Sequence, residues 1–220
     1  MLKINLADSI KHKLKNLAIG SLQAKVVVKP SDPELIQLLE NACAAFNKKY
    51  TIQDIARLRP IADARKAYKL LGKDPARYRL SSEALLRRIM KDKGIYKINN
   101  IVEINNLVSI TSFYSICAFD ISKLKPPVQF TIGTREDEYY GIGRGKLNIE
   151  NLPVFEDLEG KFGSPTSDSE RVKITPETEY LSMNMISFSG TNELEVYLNL
   201  LQDYLVRYAD AENLVMKIFD

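Results

Sequence analysis

The chain has 220 residues, 45% of them hydrophobic and 27% charged, with a net charge of +3, one histidine and two cysteines. A globular protein with a substantial core is expected, a single domain over residues 1–220 formed either as one body or as two intimately packed lobes. Two cysteines at this separation, Cys43 and Cys117, provide neither a disulfide framework nor a metal spacing and are expected to be free thiols, and a lone histidine argues against a Ser-His-Asp site.

In chain order, the N-terminal MLKINLADSIKHKLKNLAIG carries spread lysines and lacks the apolar run of about seven to fifteen residues of a signal peptide. No membrane anchor and a cytoplasmic location are expected. AKVVVK at 24–29 reads as a strand, and Pro33 opens a helix to Lys48 with Leu35, Leu38, Leu39, Ala42 and Phe46 on one face. A second helix runs from Pro60 to Leu71 and stops at Gly72. A third begins at Ser81, read as its N-cap, with Glu83 in the first turn, Leu85, Leu86, Ile89 and Met90 facing the core, and Arg87 and Arg88 pointing away.

IVEINNLVSITSFY, after Gly94, reads as a short helix despite its β-branched residues. Strands are expected at 115–119, 128–133, 137–142, 152–155 and 179–188, with GIGRGKLNIENLP and EGKFGSPTSDSER as loops between them. The GxGxG of Gly141, Gly143 and Gly145 opens no helix and reads as a turn rather than a dinucleotide fingerprint. Leu194, Tyr197, Leu198, Leu201, Tyr204, Leu205 and Tyr208 recur at helical spacing, giving a closing amphipathic helix over 191–209 whose tyrosines are core and rim.

Charge is unevenly distributed. Between Arg57 and Lys97 lie thirteen Lys or Arg and four Asp or Glu, a local +9 that leaves −6 for the remainder. Such a block suits a phosphate-backbone contact, with Arg77, Arg79, Arg87, Arg88 and Lys91 as the RNA-binding candidates, or else a solvated face.

Candidate chemistry is sparse. The segment Gly163–Arg171, GSPTSDSER, gathers Thr166, Asp168, Ser169 and Glu170 beside a glycine and is equipped either to hold a polar ligand or to cap a turn. Asn99, Asn100, Asn105 and Asn106 are either pocket amides or helix-boundary residues, and a paired asparagine inside an apolar helix is costly unless hydrogen-bonded. Cys117 is a buried small hydrophobe in preference to a nucleophile, there being no second histidine to activate it. No metal or cofactor is expected.

Four features together resemble the editing domain, called B-three/B-four, of the bacterial phenylalanyl-tRNA synthetase beta subunit. They are Ser82 ahead of Arg87-Arg88, NNIVEINNLV at 99–108, CAFD at 117–120 where the family has HAFD, and ERVKITPET at 170–178. The likeness covers about residues 57–190 and includes no synthetase catalytic core. It implies an α+β fold with a β-sandwich-like core flanked by helices, and a pocket that hydrolyses a mischarged tRNA by water attack on the aminoacyl ester, with the acceptor end of tRNA as partner. Ser82 and Asn106 match polar pocket positions, Gly163 a pocket glycine, and Asn105 a position where the family often has threonine. Cys117 and Asn184 stand where the family's histidine and glutamate read a tyrosine hydroxyl, so tyrosine preference is expected to be lost or redirected. A deacylase acting in trans, a non-catalytic tRNA or RNA binder and an amino-acid or small-molecule sensor are the three readings.

Overall fold

The computed structural model describes residues 2–220. In chain order the elements are β1 (Ile4–Leu6), α1 (Asp8–Lys11), β2 (Ala18–Lys25), α2 (Pro33–Lys49), α3 (Arg59–Leu71), α4 (Ser81–Ile89), α5 (Asn100–Ser112), β3 (Ser115–Asp120), β4 (Val128–Ile132), β5 (Glu138–Gly141), β6 (Gly145–Asn148), β7 (Pro153–Asp157), β8 (Gly160–Ser164), β9 (Ser167–Asp168), β10 (Tyr180–Ser187), α6 (Leu194–Ala209) and β11 (Glu212–Phe219). Strands form a five-stranded sheet ordered β1-β4-β7-β8-β9, a four-stranded sheet ordered β11-β2-β10-β3, and a separate β5-β6 hairpin. The α+β class and the sandwich of two sheets flanked by helices are those expected.

Strand side chains alternate between faces, and both faces of the four-stranded sheet are covered. Ala18, Leu22, Leu181, Met183, Met185 and Ile116 belong to the core shared with the helices. Ile19, Cys117, Phe119, Ile186 and Phe219 instead join Ile4, Val128, Phe130, Phe155 and Phe162 of the five-stranded sheet in a second core. Phe119 is its centre, with ring centroids 5.1 Å from Phe155 and 4.9 Å from Phe162 in edge-to-face geometry.

Several sequence expectations are corrected. The strand read at 24–29 runs from Ala18 to Lys25, because its first seven residues are all buried and leave no alternation to detect. Ser81 is not the cap of α4: Leu80 holds that position without a side-chain bond, and the Ser81 N–H donates instead to Pro165 O at 2.7 Å. On α4, Leu86 and Ile89 are buried, whereas Leu85 and Met90 are only partly so. The two expected loops contain β6, β8 and β9, short pairings tied by turns rather than marked by apolar runs. Nor does α6 close the chain, since β11 follows it and pairs antiparallel with β2.

α5 forms against its β-branched composition because its N-terminus and one face are secured. The Asn99 side chain accepts from Val102 N at 3.0 Å as a cap. Asn100, fully buried, accepts from Lys29 N and donates to Val27 O and Tyr208 O, so it fastens α5 to the segment after β2 and to the end of α6. These two asparagines are boundary residues, not pocket amides.

One buried ion cluster seats α4 on α3. Glu83, 0% exposed, receives Arg65 Nη1 at 2.9 Å and Arg87 Nε at 2.9 Å. Arg87 therefore does not point into solvent as expected: a buried carboxylate beside it is a stronger partner than water. Removing Glu83 strands two guanidinium groups. Glu83→Ala is expected to destabilise the fold by about 3–5 kcal/mol, read as a fall in the denaturant midpoint at unchanged slope; a midpoint within error of the wild type would refute the role.

Candidate binding cavity and family membership

A cavity of about 720 Å³ opens between α4, α5, β3, the β5-β6 hairpin and the β8-β9 turn. Two helices line it with a single face each, at i, i+3, i+4 and i+7: Ser81, Ala84, Leu85 and Arg88 of α4, and Val102, Asn105, Asn106 and Ser109 of α5. Ile116 and Ala118 contribute the same face of β3, and Thr166, Ser167 and Asp168 close the floor. Tyr96, Ile98, Ile142, Arg144, Lys173 and Ile174 stand around it as well.

Of the sequence candidates, the cavity brings together Asn105, Asn106, Thr166 and Asp168. The two adjacent amides have different duties. Asn105 Nδ2 donates to Ile116 O at 3.1 Å and its oxygen accepts from Ser109 Oγ, which fixes α5 to β3. Asn106 lines the cavity with no side-chain hydrogen bond among the described residues. Thr166 is buried and bonded to the Tyr68 hydroxyl at 3.0 Å.

The other candidates lie elsewhere. Ser82 is buried against Ser115 Oγ at 3.1 Å. Cys117 and Asn184 are direct cross-strand partners of β3 and β10. Both are buried on the sandwich-facing side, because Ile116 and Ala118 occupy the cavity side. There Asn184 Nδ2 donates to Ser182 Oγ at 3.0 Å. Gly163 is not at the cavity either: a Cβ there would meet Phe119 Cζ at 2.6 Å, so the glycine makes room for the central ring of the sandwich core. Ser169 accepts from Arg171 N as the cap of a short 3₁₀ turn, and Glu170 pairs with Lys173 at 2.7 Å. Thr178 donates to Asp120 at 2.8 Å, which joins the ERVKITPET and CAFD stretches of the sequence.

The basic block is likewise divided. Lys73 is buried and held by Asn148 and Glu150 carbonyls, and Arg65 and Arg87 serve Glu83. Arg77, Arg79 and Lys91 are exposed and away from the cavity. Arg88 alone of the RNA-binding candidates reaches it. Arg144 and Tyr96 were missed, the first because a glycine turn hides its target, the second because a tyrosine between two lysine-bearing stretches carries no periodic signal. Gly143 and Gly145 take positive φ of 64° and 71°, forming the expected turn and placing Arg144 at the hairpin tip.

Asp168 is the carboxylate of the cavity floor. Its Oδ2 accepts from Ala118 N at 3.0 Å across the edge of β3, and its buried Oδ1 has no partner of hydrogen-bonding geometry. Burial pushes the carboxyl up to about 7, opposed by the Ala118 N–H, the Cys117 thiol and the Ser164 N–H. The Cys117 thiol is also pushed up, by burial first and by Asp168 second, which keeps it protonated and unsuited to nucleophilic attack. Both cysteines are free thiols. Among the described residues no group of three His, Cys, Asp or Glu is placed to hold a metal, and no helix is long and apolar enough to cross a membrane.

A family model described as the B3/4 domain matches residues 63–209. The chain belongs to the B3/4 domain family. The resemblance read from Ser82, NNIVEINNLV and CAFD is thereby borne out. Among solved structures, the B3/4 chain is similar to an N-terminal fragment of the phenylalanyl-tRNA synthetase beta-subunit from Pyrococcus horikoshii, with 13% identity and a TM-score of 0.49 over 98% of this chain and 50% of that one. This B3/4 chain thus spans half the length of that fragment. Comparison with curated proteins returns no match.

Two outcomes follow from the floor of the cavity. The folded Asp168 keeps its proton to about pH 7 whereas the unfolded residue loses it near 3.8, so the folded state binds more protons in between. Its contribution is fully present below the unfolded value and is lost as pH rises through 7. Wild-type thermal stability should therefore fall between pH 5 and pH 8 relative to Asp168→Asn; parallel profiles would refute the buried, proton-holding carboxyl. Gly163→Ala should cost about 1–3 kcal/mol by overpacking Phe119, checked by chemical denaturation, and a neutral result would mean that the ring can yield.

Proposed function

We propose that this B3/4 domain is an aminoacyl-tRNA deacylase that clears a mischarged tRNA in trans, acting on an apolar aminoacyl group. The observation that carries the reading is the Asn106 amide, without a partner, on the wall of an apolar cavity whose mouth is cationic. Leu85, Val102, Ile116 and Ala118 suit an aliphatic or aromatic side chain. An aminoacyl ester is already activated, so a positioned water can attack its carbonyl without a protein nucleophile. Asn106 Nδ2 would donate to the developing oxyanion, a contribution of about a hundredfold to a thousandfold. Arg88 and Arg144 face the phosphates of the acceptor end, and Lys173 is held back by Glu170. Tyrosine is a poor fit because Cys117 and Asn184 lie behind β3, and the cavity-side residues Ile116 and Ala118 present no partner for a phenol. Such a reaction belongs in the cytoplasm, where charged tRNA is used.

A non-catalytic RNA-binding reading is favoured by one feature: Asp168 Oδ2 is tied to Ala118 N and the unpartnered Oδ1 is enclosed, so the floor carboxylate does not offer an accessible base. Water attack would then depend on placement and hydrogen bonding alone.

Hydrolysis of a panel of correctly and incorrectly charged tRNAs separates the two. Release from one mischarged species, reduced about a hundredfold or more in Asn106→Ala, is expected; background rates throughout with retained binding would leave a binding module. Arg88→Gln with Arg144→Gln should lower the slope of log affinity against log salt by about one per lost phosphate contact, and an unchanged slope would remove these arginines from the interface.

A further inference from the structure

We infer that the mouth of the cavity is a nucleobase-stacking site in which Tyr96, backed by Arg88, takes the base of the nucleoside that carries the aminoacyl group. The inference rests on the RNA-end reading of the cavity and adds to it the residue that receives the base.

Tyr96 lies at the cavity and is 65% exposed. One face of its ring is covered: the Arg88 guanidinium carbon sits 4.0 Å from the ring centroid. That guanidinium is not free to move, because Nε donates to Gly94 O at 2.8 Å and Nη2 to Lys93 O at 3.0 Å. A planar cation clamped by two backbone carbonyls thus holds the phenol ring at one edge of the opening. The remaining ring surface faces solvent, and Ile98 and Ile142, 64% and 44% exposed, stand around the same opening.

Exposed apolar and aromatic groups at one mouth call for a flat, partly apolar occupant, and the charge there selects its class. Arg88 makes no bond to a carboxylate, and Arg144 at the hairpin tip forms no ion pair among the described residues. Ile142 N donates to Asp168 O and Gly143 N to Glu170 Oε1, which docks the hairpin so that Arg144 stays at the opening. A flat ring joined to an anionic backbone satisfies both demands, and this is the chemistry of a nucleotide. With the aminoacyl group inside the cavity and the phosphates at Arg144, the base lies against Tyr96. Arg88 therefore serves the mouth twice, as positive charge for the phosphates and as the support that orients the ring.

The chain contains no tryptophan, so Tyr96→Trp provides a single reporter at the site. Two labelled RNA minihelices are titrated, one ending in CCA and one with the terminal adenine removed to leave an abasic ribose, and AMP is titrated separately. Quenching of the introduced indole's emission by the CCA-ended RNA is expected, with binding of the abasic RNA weaker by about five- to 150-fold, the range that one base–aromatic stack covers. The same preference should appear in the unsubstituted protein by anisotropy, persist in Tyr96→Phe and vanish in Tyr96→Ala. Quenching by AMP at equal affinity would support the base site but assign it to a free nucleotide. Equal binding of both RNAs, or a preference retained in Tyr96→Ala, would overturn the stacking site while leaving the RNA-end reading standing. No binding of either RNA would overturn both.

Discussion

Burial of the four-stranded sheet on both faces is the constraint from which the rest of the molecule follows. Side chains of β2, β3 and β10 alternate between a helical core and a sandwich core, so each residue's duty is decided by its parity along the strand. Phe119 goes to the sandwich and forces a glycine at position 163; Ile116 and Ala118 go to the other side and become cavity wall. Cys117 and Asn184 share parity with Phe119 through the β3–β10 register and are enclosed with it. A one-residue slip would exchange the two sets, which is why the apolar residues on both faces hold the register.

Electrostatics is organised around buried carboxylates rather than around a surface patch. Glu83 takes up Arg65 and Arg87, and Lys73 is absorbed by the carbonyls of Asn148 and Glu150. Three members of the positive block are therefore spent on the fold, and the charge left near the cavity is Arg88, Arg144 and a neutralised Lys173. Desolvating these groups costs more than surface ion pairing returns, so such partners tie elements together more than they add net stability. α4 is the beneficiary: locked on α3 through Glu83, it presents Arg88 one turn beyond Ala84 and Leu85.

The cavity is formed where two helix faces and one strand face meet without a side chain large enough to fill the space. Asn105 and Asn106 are sequence neighbours, yet one is a fastening and the other a free amide, because a helix turns about 100° between them. Burial raises both titratable groups at the floor, Asp168 to about 7 and the Cys117 thiol well above its usual value. In the proposed reaction the site would act by placing an activated ester and water.

What the sequence by itself determined is local or carried by composition and motif. The helices from Pro33, Pro60, Ser81 and Leu194 follow from proline starts, the Gly72 stop and helical spacing, and the B3/4 membership follows from NNIVEINNLV and CAFD. Tertiary structure decided what depends on pairing: β2 was obscured by two-sided burial, β8 and β9 are hairpin pairings too short to show an apolar run, β11 exists through β2 at the other end of the chain, and the Ser81 N–H is taken by Pro165 O. The same holds for the site. Ser82, Cys117, Gly163 and Asn184, the positions that the resemblance pointed to, are turned away from the cavity, Ser82 on its helix and the others by strand parity and packing, while Tyr96 comes to it from one loop and Ile142 and Arg144 from another. Residue type and spacing encode a helix face through local geometry; which face meets a cavity depends on register and packing between segments far apart in the chain, and that information is distributed over the whole chain.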